Sequence, residues 1–133
     1  MKRVWLVALL GVLLFSFLAA GCDPEEPRAD GESLTIGIVQ FAVHDALNDA
    51  RKGFIKALEE EGFVDGDNVS IITQNAQGEV ATATTIAEGF VADGVDLILA
   101  IATPAAQAAC NVTSEIPIMI TAVTDPVDAG LAE

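Results

Sequence analysis

The sequence predicts an α/β fold, a doubly wound parallel sheet with helices on both faces. Three observations carry that prediction. Short β-branched runs alternate with segments whose apolar residues recur at helical spacing, the runs are apolar on both faces, and no internal repeat or low-complexity tract breaks the order. Right-handed crossovers then put the strands in the order 2-1-3-4.

Each element has its own signal. "LTIGIVQ", Leu34 to Gln40, is a β-branched strand, and Ala46 to Glu61 sets Leu47, Ala50, Phe54, Ile55 and Leu58 on one helical face. "NVSIITQ", Asn68 to Gln74, is the second strand. Val80 to Asp93 carries Ala83, Ile86, Ala87, Phe90 and Val91 as a second helical stripe. The third strand, in "VDLILAIA" from Val95, runs into a helix opened by a hydroxyl N-cap at Thr103 and a proline at Pro104. A fourth strand, "IPIMITA", begins near Ile116 and leads to Asp125-Pro126, where another helix is expected to start.

The first residues read as an address. Met1-Lys2-Arg3 is a basic start, Val4 to Leu18 is almost unbroken hydrocarbon, and Ala19-Ala20-Gly21 precedes Cys22, which predicts a signal peptide over residues 1–21. A run of this length also suits a retained membrane anchor; small residues ending on a cysteine favour cleavage. "LAAGC" resembles a bacterial lipobox, with Ala19 where leucine is usual and Leu18 one place further out. The resemblance implies a lipid on the Cys22 thiol. At about 0.8 kcal/mol per buried methylene, two or three acyl chains tether a soluble domain to a membrane. Residues 22–33, with "DPEEPRADGES", predict a flexible acidic linker. The domain proper then covers residues 34–133.

Twenty acidic side chains against six basic ones give a formal charge of −14. Loss of Lys2 and Arg3 with the leader makes it more negative still. Phosphate binding needs clustered Lys and Arg, so nucleic acid is excluded as a partner, and the acidity reads as a solvated surface. With Cys22 lipidated, Cys110 has no disulfide partner and is expected to be a small buried hydrophobe on its helix.

In such sheets ligands meet the loops at the carboxyl ends of the strands. Here those loops are "QFAVHD", "NAQGE", "ATPAAQ" and "TAVTDP", rich in amides and hydroxyls and poor in charge. There is no glycine fingerprint after the first strand, no P-loop, no acidic pair for a phosphoacceptor and no serine at a strand-to-helix elbow. His44 and Cys110 lie in separate elements and form no zinc set. Catalysis is therefore not expected, and neither is a cofactor or metal. The loops suit a small polar ligand. Backbone N–H groups of Ala105 and Ala106, at the positive end of a helix dipole, would hold a carboxylate, although an ordinary N-cap explains Thr103-Pro104 as well. Asp125 either caps its helix or takes an ammonium, and capping weighs more.

Together "IGIVQFAVHDALNDARKGFIKAL", "ITQNAQGE", "VDLILAIATPAAQAA" and "IPIMITAVTDPVDAGL" resemble successive blocks of the ABC-transporter substrate-binding lipoprotein family, which includes tryptophan- and tyrosine-type binding proteins. The likeness spans nearly all of Leu34 to Leu131. It implies a periplasmic-binding-protein type I fold of two lobes that closes on a ligand and docks on a membrane permease. This chain is then the N-terminal lobe, with the second lobe missing and half the pocket with it. Gln40, Phe41 and His44 match the family's first loop, with Asp45 where proline is common. Asn75, Ala76 and Gln77 match the second, Thr103, Pro104 and Ala105 the third, and Thr124 and Asp125 the fourth. The roles implied are a ligand carboxylate on Thr103 and the adjacent amides, an ammonium on Asp125 and an apolar or aromatic side chain against Phe41. The expected function is an extracytoplasmic solute receptor delivering an amino acid to an ABC permease. A lipid-anchored sensory domain of the same fold is the alternative.

Overall fold

The computed structural model describes residues 33–132. The leader, Cys22 and all of the linker but Ser33 lie outside the described residues. Four strands form one sheet: β1 (Leu34–Gln40), β2 (Val69–Asn75), β3 (Leu97–Ile101) and β4 (Ile118–Thr121). All pairings are parallel, in the order β2-β1-β3-β4, as the sequence predicts. Three helices connect them: α1 (Asp45–Glu60), α2 (Val80–Asp93) and α3 (Thr103–Val112).

Alternation along the central strands divides the core in two. Ile36 and Ile38 of β1, with Leu99 and Ile101 of β3, face Leu47, Ala50, Phe54, Ile55 and Leu58 of α1. Val39, Ile98 and Ala100 face the other way, onto Ala83, Ile86, Ala87 and Phe90 of α2 and the alanines of α3. Those alanines, Ala105, Ala106, Ala108 and Ala109, are buried and bring α3 close to the sheet. At the amino end, Asp96 Oδ2 accepts from Thr35 N at 2.8 Å while Asp96 N donates to Thr35 O at 2.8 Å, pinning the start of β3 to β1. Helix α2 ends where Gly94 takes the left-handed conformation (φ 66°), which lets Val95 N reach Phe90 O.

The structure corrects several expectations. Val91 stands 36% exposed, outside the α2 stripe. Cys110 is exposed rather than buried, because the alanines of α3 take the inward face. Thr103 is not the N-cap. That position belongs to Ala102, at φ 84° and ψ 151°, and no side chain caps the helix. The helix expected from Pro126 is a single turn: Gly130 (φ 70°) closes it, with Gly130 N bonded to Val127 O and Leu131 N to Pro126 O. Among the described residues, no helix is long and apolar enough to cross a membrane.

Candidate ligand-binding edge

The four carboxyl-end loops are laced together by main-chain hydrogen bonds. Ala76 N donates to Gln40 O (2.8 Å) and Gly78 N to Phe41 O (2.8 Å), joining the first two loops. Phe41 N donates to Ile101 O (3.2 Å) and Ala102 N to Thr121 O (3.0 Å), joining the first to the third and the third to the fourth. Among the described residues, the non-glycine residues with positive φ are Gln77 (56°), Ala102 (84°) and Ala122 (55°), one in each of the last three loops. Backbone held in sparsely populated regions gathers at ligand sites, where the surrounding structure over-determines it.

At the start of α3 two amides are without a partner among the described residues. Helix geometry leaves the first four N–H groups without intrahelical partners. Ala102 N is taken by Thr121 O, and Pro104 has no N–H, so Thr103 and Ala105 keep theirs. Ala106, expected to offer its amide, instead donates to Ala102 O at 3.0 Å and closes the first helical turn. Ala105 can contribute only that amide, since its methyl is fully buried.

Across β4, Asp125 Oδ1 accepts from Val127 N and Asp128 N, both at 3.1 Å. The carboxylate is thus a cap, and Oδ2 is left over. The chemistry of the edge is bipolar: two unpaired amides at the positive end of a helix dipole, and a carboxylate on the adjacent loop. That pairing suits a zwitterion.

A family model for ABC transporter substrate binding proteins matches residues 35–133. The chain belongs to that family. A tyrosine-binding protein of Clostridioides difficile (strain R20291) is 48% identical over 141 aligned positions, covering 99% of this chain and 41% of the relative. The ligand-free, open structure of a Clostridium difficile substrate binding protein with adhesive properties is 55% identical, with a TM-score of 0.74 over 75% of this chain and 34% of that one. An ABC domain from Streptococcus pneumonia in complex with L-Trp is 39% identical, with a TM-score of 0.73 over 76% of this chain and 34% of that one. The chain therefore spans about two fifths of the curated relative it matches and a third of the solved ones.

The remaining residues expected at the candidate edge divide by what occupies them. Phe41 is half-buried and packs on the α2/α3 core. The His44 Nδ1 caps α1 by accepting from Ala46 N at 3.3 Å, so only Nε2 is left to reach a ligand. Asn75 Oδ1 accepts from Gln77 N at 2.8 Å, an Asx turn that holds Gln77 in its left-handed conformation. Gln77 and Thr124 are exposed, and Thr103 and Pro104 half-buried. Gln40 is the exception. It is 2% exposed and donates both Nε2 hydrogens inward, to Ala42 O (2.7 Å) and Asn48 Oδ1 (2.9 Å).

Sequence reasoning missed Asn48, whose signal is a polar residue on the margin of the α1 apolar stripe. It missed Ala102 and Ala122 because nothing in an alanine announces a positive φ. A groove of about 380 Å³ between α2, α3 and the closing turn, lined by Val80, Thr84, Gln107 and Leu131, shares only Pro104 with these residues.

Proposed function

We propose that this chain is the N-terminal lobe of an ABC-transporter solute receptor that takes up an aromatic amino acid and delivers it to a membrane permease. The observation that carries this is the pair of free amides of Thr103 and Ala105 after β3, with the Asp125 carboxylate on the loop that follows the neighbouring strand β4. The first would hold the ligand's carboxylate and the second its ammonium, with Phe41 against the side chain. The names of two relatives, one tyrosine-binding and one holding L-Trp, support the choice of ligand. The role is binding rather than catalysis, and a second lobe would close over the edge. The receptor works outside the cytoplasm, tethered by a lipid on Cys22. A tether keeps it near its transporter without placing the folded domain in the bilayer.

Calorimetric titration of the intact protein with L-tyrosine and L-tryptophan tests this reading, and absence of heat with both would sink it. The Thr103 hydroxyl is assigned to the same carboxylate alongside the two amides, so Thr103→Ala, which removes the hydroxyl and keeps the amide, is expected to weaken binding by about tenfold, the value of one hydrogen bond to a charged group. Cys22→Ala should release the protein from the membrane fraction and abolish incorporation of labelled fatty acid.

A further inference from the structure

Gln40 ends β1, in register with Asn75 of β2 and Ile101 of β3, so its amide belongs to the ligand edge. A buried primary amide has two donors and one acceptor to satisfy. Both donors of Gln40 are taken by oxygens, Ala42 O and Asn48 Oδ1. Rotating the amide by half a turn would set its own oxygen against those two acceptors, so its orientation is fixed by chemistry. Among the described residues no donor serves Gln40 Oε1. The amide is therefore held with its acceptor unused.

Asn48 supplies the part of this lock that a side chain can remove. Its backbone N donates to His44 O at 2.9 Å as an ordinary bond of α1, while its Oδ1 alone reaches Gln40. The Ala42 carbonyl, by contrast, is main chain and holds only one of the two hydrogens. Without the Asn48 acceptor the second hydrogen goes unpaired and the Ala42 carbonyl alone holds the amide, by one hydrogen instead of two.

We propose that Asn48 is a positioning residue for the ligand edge: it fixes the Gln40 amide so that Oε1 stands as an acceptor for the amino group of the ligand. This rests on the amino-acid reading above and adds a second acceptor to Asp125. It also assigns Gln40 a defined atom. The amide's nitrogen belongs to the fold and its oxygen to the ligand.

The test compares L-tyrosine with 3-(4-hydroxyphenyl)propionate, the same molecule without its amino group, on the intact protein and two variants. Asn48→Ala is expected to lose about tenfold in affinity for L-tyrosine with no change for the analogue. Asn48→Asp, which keeps the acceptor, should restore the preference. Equal losses for both ligands, an unchanged L-tyrosine affinity in Asn48→Ala, or no rescue by Asp would overturn the proposal. Failure of the wild-type protein to bind either amino acid would instead count against the receptor reading. The lock itself is then decided by NMR. The two Gln40 side-chain amide protons should exchange slowly in the wild type, and one of them rapidly in Asn48→Ala. Fast exchange of both in the wild type would overturn it.

Discussion

Gly37 and Phe90 occupy adjoining halves of one space, since a Cβ on Gly37 would stand 2.7 Å from Cγ and Cδ2 of the Phe90 ring. Phe90 is fully buried within the α2-side core. Gly37→Ala is expected to destabilise the lobe by about 1–3 kcal/mol through overpacking, read from the urea midpoint. Phe90→Leu should cost stability alone yet recover part of the Gly37→Ala loss when combined with it. Strictly additive losses would show that the two positions do not compete for the same volume.

Ala102 holds a conformation that only glycine adopts at ease. Ala102→Gly removes strain of about 1–3 kcal/mol and costs about 0.4–1 kcal/mol through the freer unfolded chain. A net gain of about 1 kcal/mol is expected, and calorimetry should show a raised Tm. A lowered Tm would mean that the surrounding loop is built around the alanine methyl.

Asp125 has two separable duties. Asp125→Asn keeps the cap, because both side chains serve equally well at that position, but it removes the charge. Slow hydrogen exchange at Val127 and Asp128 should survive Asp125→Asn and be lost in Asp125→Ala. Both variants are expected to weaken L-tyrosine binding by about tenfold. Unaltered affinity in Asp125→Asn would leave the residue as a cap alone.

Arg51 sits among the core-facing residues of α1 with its Nε buried and unpaired among the described residues. A desolvated donor without a partner costs about 1–3 kcal/mol, and the aliphatic stem supplies packing that a straight apolar chain can keep. Arg51→Met is therefore expected to stabilise the lobe by about 1 kcal/mol in chemical denaturation. A loss of stability would point to a partner for the guanidinium.

Desolvation by its neighbours raises the Cys110 thiol above its ordinary pKa even though solvent reaches the side chain. At a given pH the folded protein then carries less thiolate than the unfolded chain. Iodoacetamide should modify native Cys110 more slowly than the urea-unfolded protein, with the rate curve displaced to higher pH. Because the folded pKa is the higher one, this contribution to stability is complete below the unfolded thiol's pKa and is lost as pH rises through the folded value. Identical rate curves in the two states would refute the shift.

Periodicity made the sheet legible. Residues that alternate along β1 and β3 and recur along α1 and α2 must face a core, and the order 2-1-3-4 follows from the handedness of the crossovers. The loops were legible as places but not as chemistry. The Thr103 hydroxyl read as a cap because Thr-Pro opens helices so often, whereas the turn was made by Ala102 in a conformation that its side chain does not encode. Cys110 looked buried because α3 is small and apolar on most sides, and only packing reveals which side meets the sheet. Asp125 was the intermediate case. Its capping role was readable from Asp-Pro, but the stop after one turn depended on Gly130 adopting a positive φ.

The lacing of the four loops has a bearing on how the candidate edge can vary. Its ties run from Ala76 N to Gln40 O, Gly78 N to Phe41 O, Phe41 N to Ile101 O and Ala102 N to Thr121 O, and all are blind to the identity of the side chains they join. The frame of the edge can persist while the exposed residues upon it, His44, Gln77 and Thr124, are exchanged. On the proposed reading, a new solute is then acquired by repainting that surface, without rebuilding the scaffold that carries it.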